Sequence, residues 1–222
     1  MSNSKPKAWL AEFLGTFLLV FAGTAAIVVN DLSAGAITQV GIALVFGLIV
    51  AAMIYTFGEI SGAHLNPAVT LGFYYARRFS GKHVMPYILS QCLGAISASF
   101  LLHLLFPEHA SLGATLPHGA LAQTFILEIL ITFMLMLTII QVATGAKEIG
   151  NLAGIAIGGV VACAALFAGP ISGASMNPAR SIGPALISGN LTVLWLYLLG
   201  PTLGSMLAIV SCRGVREKNC CR

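Results

Sequence analysis

Long apolar stretches alternate with short polar ones along the whole chain. Stretches of about 20 apolar residues are long enough to cross a bilayer as a helix, and they fall near residues 8–29, 36–58, 84–106, 121–143, 149–168 and 193–212. Two shorter apolar pieces, 66–76 and 177–187, cannot cross, and each opens on Asn-Pro. The pattern predicts six transmembrane helices plus two re-entrant half-helices in an all-α membrane protein. Lys5 and Lys7 ahead of the first run imitate a signal peptide, but the run is too long for one and its Glu12 recurs in the second half, so it is read as a retained span.

The two halves of the chain repeat. Ile60–Gly72 and Ile171–Gly183 are identical at eight of thirteen positions. Glu12, Thr16 and Phe17 of the first span return as Glu128, Thr132 and Phe133, and Gly94 in the third span pairs by pattern with Gly200. Each unit holds three spans, an odd number, so the second copy enters the membrane upside down and the halves form an inverted repeat. The chain divides accordingly into one channel domain, 1–222, made of a first repeat at 8–106 and a second at 121–212. Gly154/Gly158 and Gly200/Gly204, each pair four residues apart, suit the close helix contacts expected in lipid.

Composition narrows the class further. Of 222 residues 58% are hydrophobic and 8% charged, against about 25% charged in soluble domains; a polar shell cannot be built from so few. The net charge of +4 does not indicate nucleic acid, because ten of eleven basic residues sit in the predicted segments on one side of the membrane. The positive-inside rule makes that side, with both termini, the cytoplasm. The five cysteines are odd in number, and none stands at metal-ligand spacing from a histidine, so they imply neither a disulfide framework nor a metal site. No His-Glu-x-x-His or nucleophile–base spacing points to an enzyme, and nothing calls for a cofactor.

The one basic residue that breaks the rule is Arg180, inside the second half-helix. A cation at bilayer depth costs at least about 2.5–3.5 kcal/mol, and the nearby helix N-terminus disfavours it further; a pore-lining role accounts for it. Asn66 and Asn177 each precede a proline, which fits an N-cap followed by the first helical position. A side-chain oxygen used as the cap leaves the amide NH₂ pointing outward as a donor at mid-membrane. Irregular backbone at this depth must be satisfied by protein or by a water-filled cavity, so the carbonyls of Gly62, Ala63, His64 and Leu65, and of Gly173, Ser175 and Met176, are expected to line a pore. Two half-helix N-termini meeting there repel cations, protons included.

The paired motifs Asn66-Pro67-Ala68 and Asn177-Pro178-Ala179, the second followed by Arg180, resemble those of the aquaporin, or major intrinsic protein, family. The resemblance runs over nearly the whole chain and implies an hourglass fold, a pore in each subunit and a homotetramer. It implies that Glu12 and Glu128 hold the re-entrant loops, and that Arg180 shares an outer selectivity filter with Phe46, Ala165 and Ala174, the residues at the family's spacings from Asn66 and Asn177. Strict water channels of the family usually carry His where Ala165 stands. Ser181 and Ala185 look like the water-channel subgroup, whereas Tyr197-Leu198 breaks its aromatic pair. Ala168–Met176 with Ile182–Ala185 is similar to the nodulin-like plant aquaporins and their bacterial relatives, which pass glycerol, urea or neutral metalloid acids. The resemblance therefore implies a passive channel for water and small neutral solutes in a bacterial inner membrane, with lipid and further copies of itself as partners. A strict water channel is the alternative within the class, and a secondary transporter of a small polar solute, which also uses inverted repeats and broken helices, the alternative outside it.

Overall fold

A computed structural model describes residues 5–143 and 151–215 and contains eight helices among them. In chain order they are α1 (Lys5–Leu32), α2 (Thr38–Ser61), α3 (Pro67–Tyr75), α4 (Gly81–Leu105), α5 (Leu121–Ala143), α6 (Ala153–Ser172), α7 (Pro178–Ser188) and α8 (Leu194–Val215). All but α3 and α7 are long and apolar enough to cross a membrane, and those two are the expected half-helices. α2 and α6 run three or four residues past their predicted ends. Their C-terminal turns are closed by Gly62 and Gly173 in the left-handed region (φ 85° and 80°), whose N–H groups donate to the carbonyls of Gly58 and Gly169 at 2.9 Å. Glycine adopts that conformation without a Cβ penalty, so the cap lies beyond the apolar pattern that set the predicted boundary.

The inverted repeat pairs α1–α4 with α5–α8. α1 packs on α4, α5 on α8, and α2 on α6 across the boundary between halves. Close approach is made by glycines, as the pattern required. A Cβ on Gly47 would come within 2.6 Å of the Gly158 carbonyl oxygen, and one on Gly158 would meet the Gly47 carbonyl in return. Gly154 accommodates the Tyr55 ring and Gly200 lies against Glu128 Cβ. The repeat partner of Gly94, however, is Gly204 rather than Gly200. Gly94 lies against the backbone at Phe13 and Phe17, and Gly204 against the backbone at Ile129 and Phe133, one and five residues after Glu12 and Glu128. The tyrosines Tyr87 and Tyr197, each seven residues earlier, keep the same register.

Leu10, Leu48, Leu104, Ile155, Leu199 and other large apolar side chains face outward, while Glu12, Gln91, Glu128 and Arg180 are buried inside. This inversion of the soluble arrangement is what a lipid solvent selects. Among the described cysteines, Cys92 and Cys163 are free thiols and Cys212 is disulfide-bonded, a bond that the odd cysteine count did not indicate. Cys220 and Cys221 lie outside the described residues.

Candidate functional site

Between α2 and α3, and between α6 and α7, the chain makes two matched turns. In each, a glycine and two non-glycine residues adopt positive φ: Gly62, Ala63 and Leu65 (85°, 45° and 53°) and Gly173, Ala174 and Met176 (80°, 41° and 55°). Non-glycine residues in this region cost on the order of 1 kcal/mol each and persist only where surrounding contacts fix them. The contacts are those of a buried carboxylate. Glu12 Oε1 accepts from Ser61 Oγ (2.7 Å) and the His64 N–H (2.9 Å), and its Oε2 accepts from the Leu65 N–H and Gln91 Nε2, both at 2.7 Å. Glu128 Oε1 accepts from Ser172 Oγ (2.9 Å) and the Ser175 N–H (3.0 Å), and its Oε2 from the Met176 N–H (2.9 Å). From the other side, the hydroxyls of Tyr87 and Tyr197 donate to the carbonyls of Ser61 and Ser172 at 2.8 and 2.7 Å.

The turns bring the two asparagines to the centre of the fold, each within reach of the other's turn. Asn66 Oδ1 accepts the Ala68 N–H at 2.8 Å, and Asn177 Oδ1 accepts those of Ala179 and Arg180 at 3.0 and 3.4 Å, so each caps a half-helix whose first residue, Pro67 or Pro178, has no N–H to satisfy. Each amide also reaches across. Asn66 Nδ2 donates to the Met176 carbonyl at 2.8 Å, and Asn177 Nδ2 to the Leu65 carbonyl at 2.9 Å. This refines the sequence reading: Leu65 and Met176 give their carbonyls to the opposite asparagine, and one hydrogen on each amide, rather than two, is left for another partner.

The expected site residues converge on one cavity of about 680 Å³. Its inner end is bordered by Tyr55, Glu59, Arg78 and Asn151, its middle by Gly62–Asn66 and Ala174–Asn177, and its outer end by Phe46, Ala165 and Arg180. Pro67, Ala68, Pro178 and Ala179 are buried behind the asparagines and do not border it. Gly173 does not border it either; a Cβ there would press on Thr115. Arg180 is 2% exposed. Its Nη1 donates to the Gly113 carbonyl at 2.8 Å, its Cζ lies 5.1 Å from the centre of the Phe46 ring, and its buried Nε–H has no protein acceptor. Gln39 Nε2 donates to the Ala165 carbonyl at 2.7 Å.

Sequence reasoning missed several of these groups. Gly113 sits in the connection between halves and shows its role only when the fold brings it to Arg180. Gln91 and the Tyr87/Tyr197 pair were legible in principle, the tyrosines because they repeat at the same distance from the serine before each turn, within one residue. Of the remaining histidines, His83 and His103 lie near the ends of α4, while His109 contacts Asp31 at 3.3 Å in the outer connection.

Six spans, two capped half-helices and a cavity of mixed, mostly apolar lining between them define an hourglass membrane channel. The chain matches the family described as Major intrinsic protein over residues 1–211. It is 53% identical to rice aquaporin NIP1-4 over 197 residues, covering 88% of this chain and 72% of that protein. It is 46% identical to soybean nodulin-26 over 198 residues, covering 89% and 73%. Its fold superposes on the crystal structure of the aquaglyceroporin from Plasmodium falciparum with a TM-score of 0.81 at 26% identity, covering 92% and 94% of the two chains. The chain belongs to the major intrinsic protein family; it is an integral membrane channel and not an enzyme.

Proposed function

We propose that this chain passes water together with small uncharged solutes, glycerol, urea or undissociated metalloid acids, and excludes ions and protons. The observation that carries the reading is the composition of the outer end of the cavity, where Ala165 and Ala174 offer methyl groups across from Phe46 and the Arg180 guanidinium. A solute can set its hydroxyls on Arg180 and the loop carbonyls while its carbon edge meets the apolar wall, the mixed lining on which such selectivity depends. Phe46, Ala165, Ala174 and Arg180 form the filter in this reading, the two Asn-Pro-Ala motifs mark the midplane, and Glu12 and Glu128 support the loops. The names of the relatives agree in direction, one being an aquaglyceroporin.

The repeats at 8–106 and 121–212 act as one channel domain, assembled as a homotetramer with both termini in the cytoplasm, which the distribution of Lys and Arg supports. The relatives named above include plant proteins and give the expectation of a bacterial membrane no support.

The test is stopped-flow swelling of proteoliposomes with water, urea and glycerol, run on the wild type and Ala165→His. The ring refills the gap, so the variant is expected to lose glycerol and urea while sparing water. A water-only wild type that the histidine leaves unchanged would sink the reading and favour a strict water channel; flux that depends on a proton gradient would favour a transporter.

A further inference from the structure

Gly23 lies on the buried face of α1, one turn beyond Leu19, which borders the cavity. It does not border the cavity itself. Instead it sits behind the Phe46 ring: a Cβ built on Gly23 would overlap Cε1 and Cζ of Phe46 and stand 2.6 Å from Cδ1. Ordinary carbon–carbon contact needs about 3.5 Å, so the ring is seated as far into α1 as a backbone without a side chain allows. The Arg180 guanidinium also lies over the ring, its Cζ 5.1 Å from the centre. Phe46 thus packs against both α1 and Arg180, and an atom added at Gly23 pushes the ring off α1 and shifts it within the cavity wall that it forms.

The inverted-repeat position of Phe46 is Ile157, and that of Gly23 is Ile139; both isoleucines border the cavity. The inner half thus carries two branched side chains where the outer half has an aromatic ring resting on a glycine. Gly23 is not required by its backbone, which is that of a helix interior where alanine is favoured over glycine. What remains is the close approach of the ring.

We infer that Gly23 is a specificity-determining residue of the outer constriction: by receiving the Phe46 ring it sets the free width between Phe46, Ala165 and Arg180, and so the largest neutral solute that passes. The inference rests on the four-residue filter proposed above and adds to it a residue that touches no solute.

The experiment is a double-mutant cycle of Gly23→Ala and Phe46→Ala in proteoliposomes, with water, urea and glycerol as probes. Displacing the ring by about 1 Å is expected to cut glycerol flux on the order of tenfold, urea less, and water about twofold at most. In the Phe46→Ala background Gly23→Ala is expected to change nothing, since the ring it displaces is gone; this arm separates the effect from misfolding. Unchanged glycerol-to-water ratio in Gly23→Ala, or an equal loss of flux with and without the ring, overturns the inference. If the wild type passes water alone, the proposed solute range fails, yet the inference is still read: Gly23→Ala must then slow water, and only while Phe46 is present.

Discussion

The inner turn, Gly62–Leu65, and the outer turn, Gly173–Met176, share a skeleton and differ in what is attached to it. Both carry the same sequence of positive φ angles, a carboxylate behind the backbone, a tyrosine hydroxyl on the preceding carbonyl and an asparagine at the end. The inner carboxylate receives a fourth donor, Gln91 Nε2, which also donates to Thr70 Oγ1 at 3.0 Å; Thr70 in turn meets His64 Nδ1 at 3.1 Å. At the outer turn Pro201 stands four residues after the tyrosine, where Gln91 stands in the inner half. Ser181, the counterpart of Thr70, bonds instead to Ser175 (2.6 Å) and Thr115 (2.8 Å). The outer half also places Arg180 where the inner has Val69. Features common to both halves hold strained backbone in place. Those found on one side differ in kind: inside they tie the turn to its own glutamate, outside they tie it to the connection that carries Gly113 and to the charge at the pore mouth.

The largest effects should come from the shared carboxylates. Glu12→Ala strands four donors; Glu128→Ala strands the Ser175 and Met176 N–H groups, while the Ser172 hydroxyl still reaches the Ala168 carbonyl at 3.4 Å, and an unsatisfied buried donor costs about 1–3 kcal/mol. Losses of at least about 4 and 2 kcal/mol respectively are expected, read as lowered resistance to denaturant in detergent. Equal or reversed losses would break the link between donor count and stability. Next comes the asymmetric charge. Arg180→Ala is expected to retain the fold, because its guanidinium makes a single hydrogen bond within the protein, to the Gly113 carbonyl, while admitting cations or losing solute discrimination in flux assays. Unchanged selectivity would take Arg180 out of the filter.

Much of this is legible in the amino-acid sequence. Repetition fixed the half-helices and the asparagines to within a residue or two, because a buried motif that recurs in two apolar segments too short to cross has few other solutions in lipid. The acids followed from the cost of burying them. What could not be read were contacts set by long-range placement: Gly113 against Arg180, Gln91 against Glu12, and the amides crossing to Met176 and Leu65. Hydrogen-bond inventory says how many bonds a group can make, but not which partner a fold brings within 3 Å. The glycine register failed for a related reason. Gly200 and Gly204 share one helix and both touch α5, and only their contacts with the backbone after Glu128 show which is the partner of Gly94.

The smallest effect expected here is also the one that best separates the two halves. Gln91→Leu removes both hydrogen bonds of the amide nitrogen, to Glu12 Oε2 and to Thr70 Oγ1, and substitutes a side chain of similar size. Glu12 keeps the Ser61, His64 and Leu65 donors, the same three kinds of partner that suffice for Glu128. The partners left behind are acceptors, and the Gln91 carbonyl oxygen that leucine also removes has no partner, so its loss relieves a buried polar atom. The net cost should therefore be modest, about 1 kcal/mol, with water flux within about twofold of the wild type. If instead Gln91→Leu proves as damaging as Glu12→Ala, the inner turn cannot stand on the donors it shares with the outer one. The two turns would then be held by different means, despite their matching backbone.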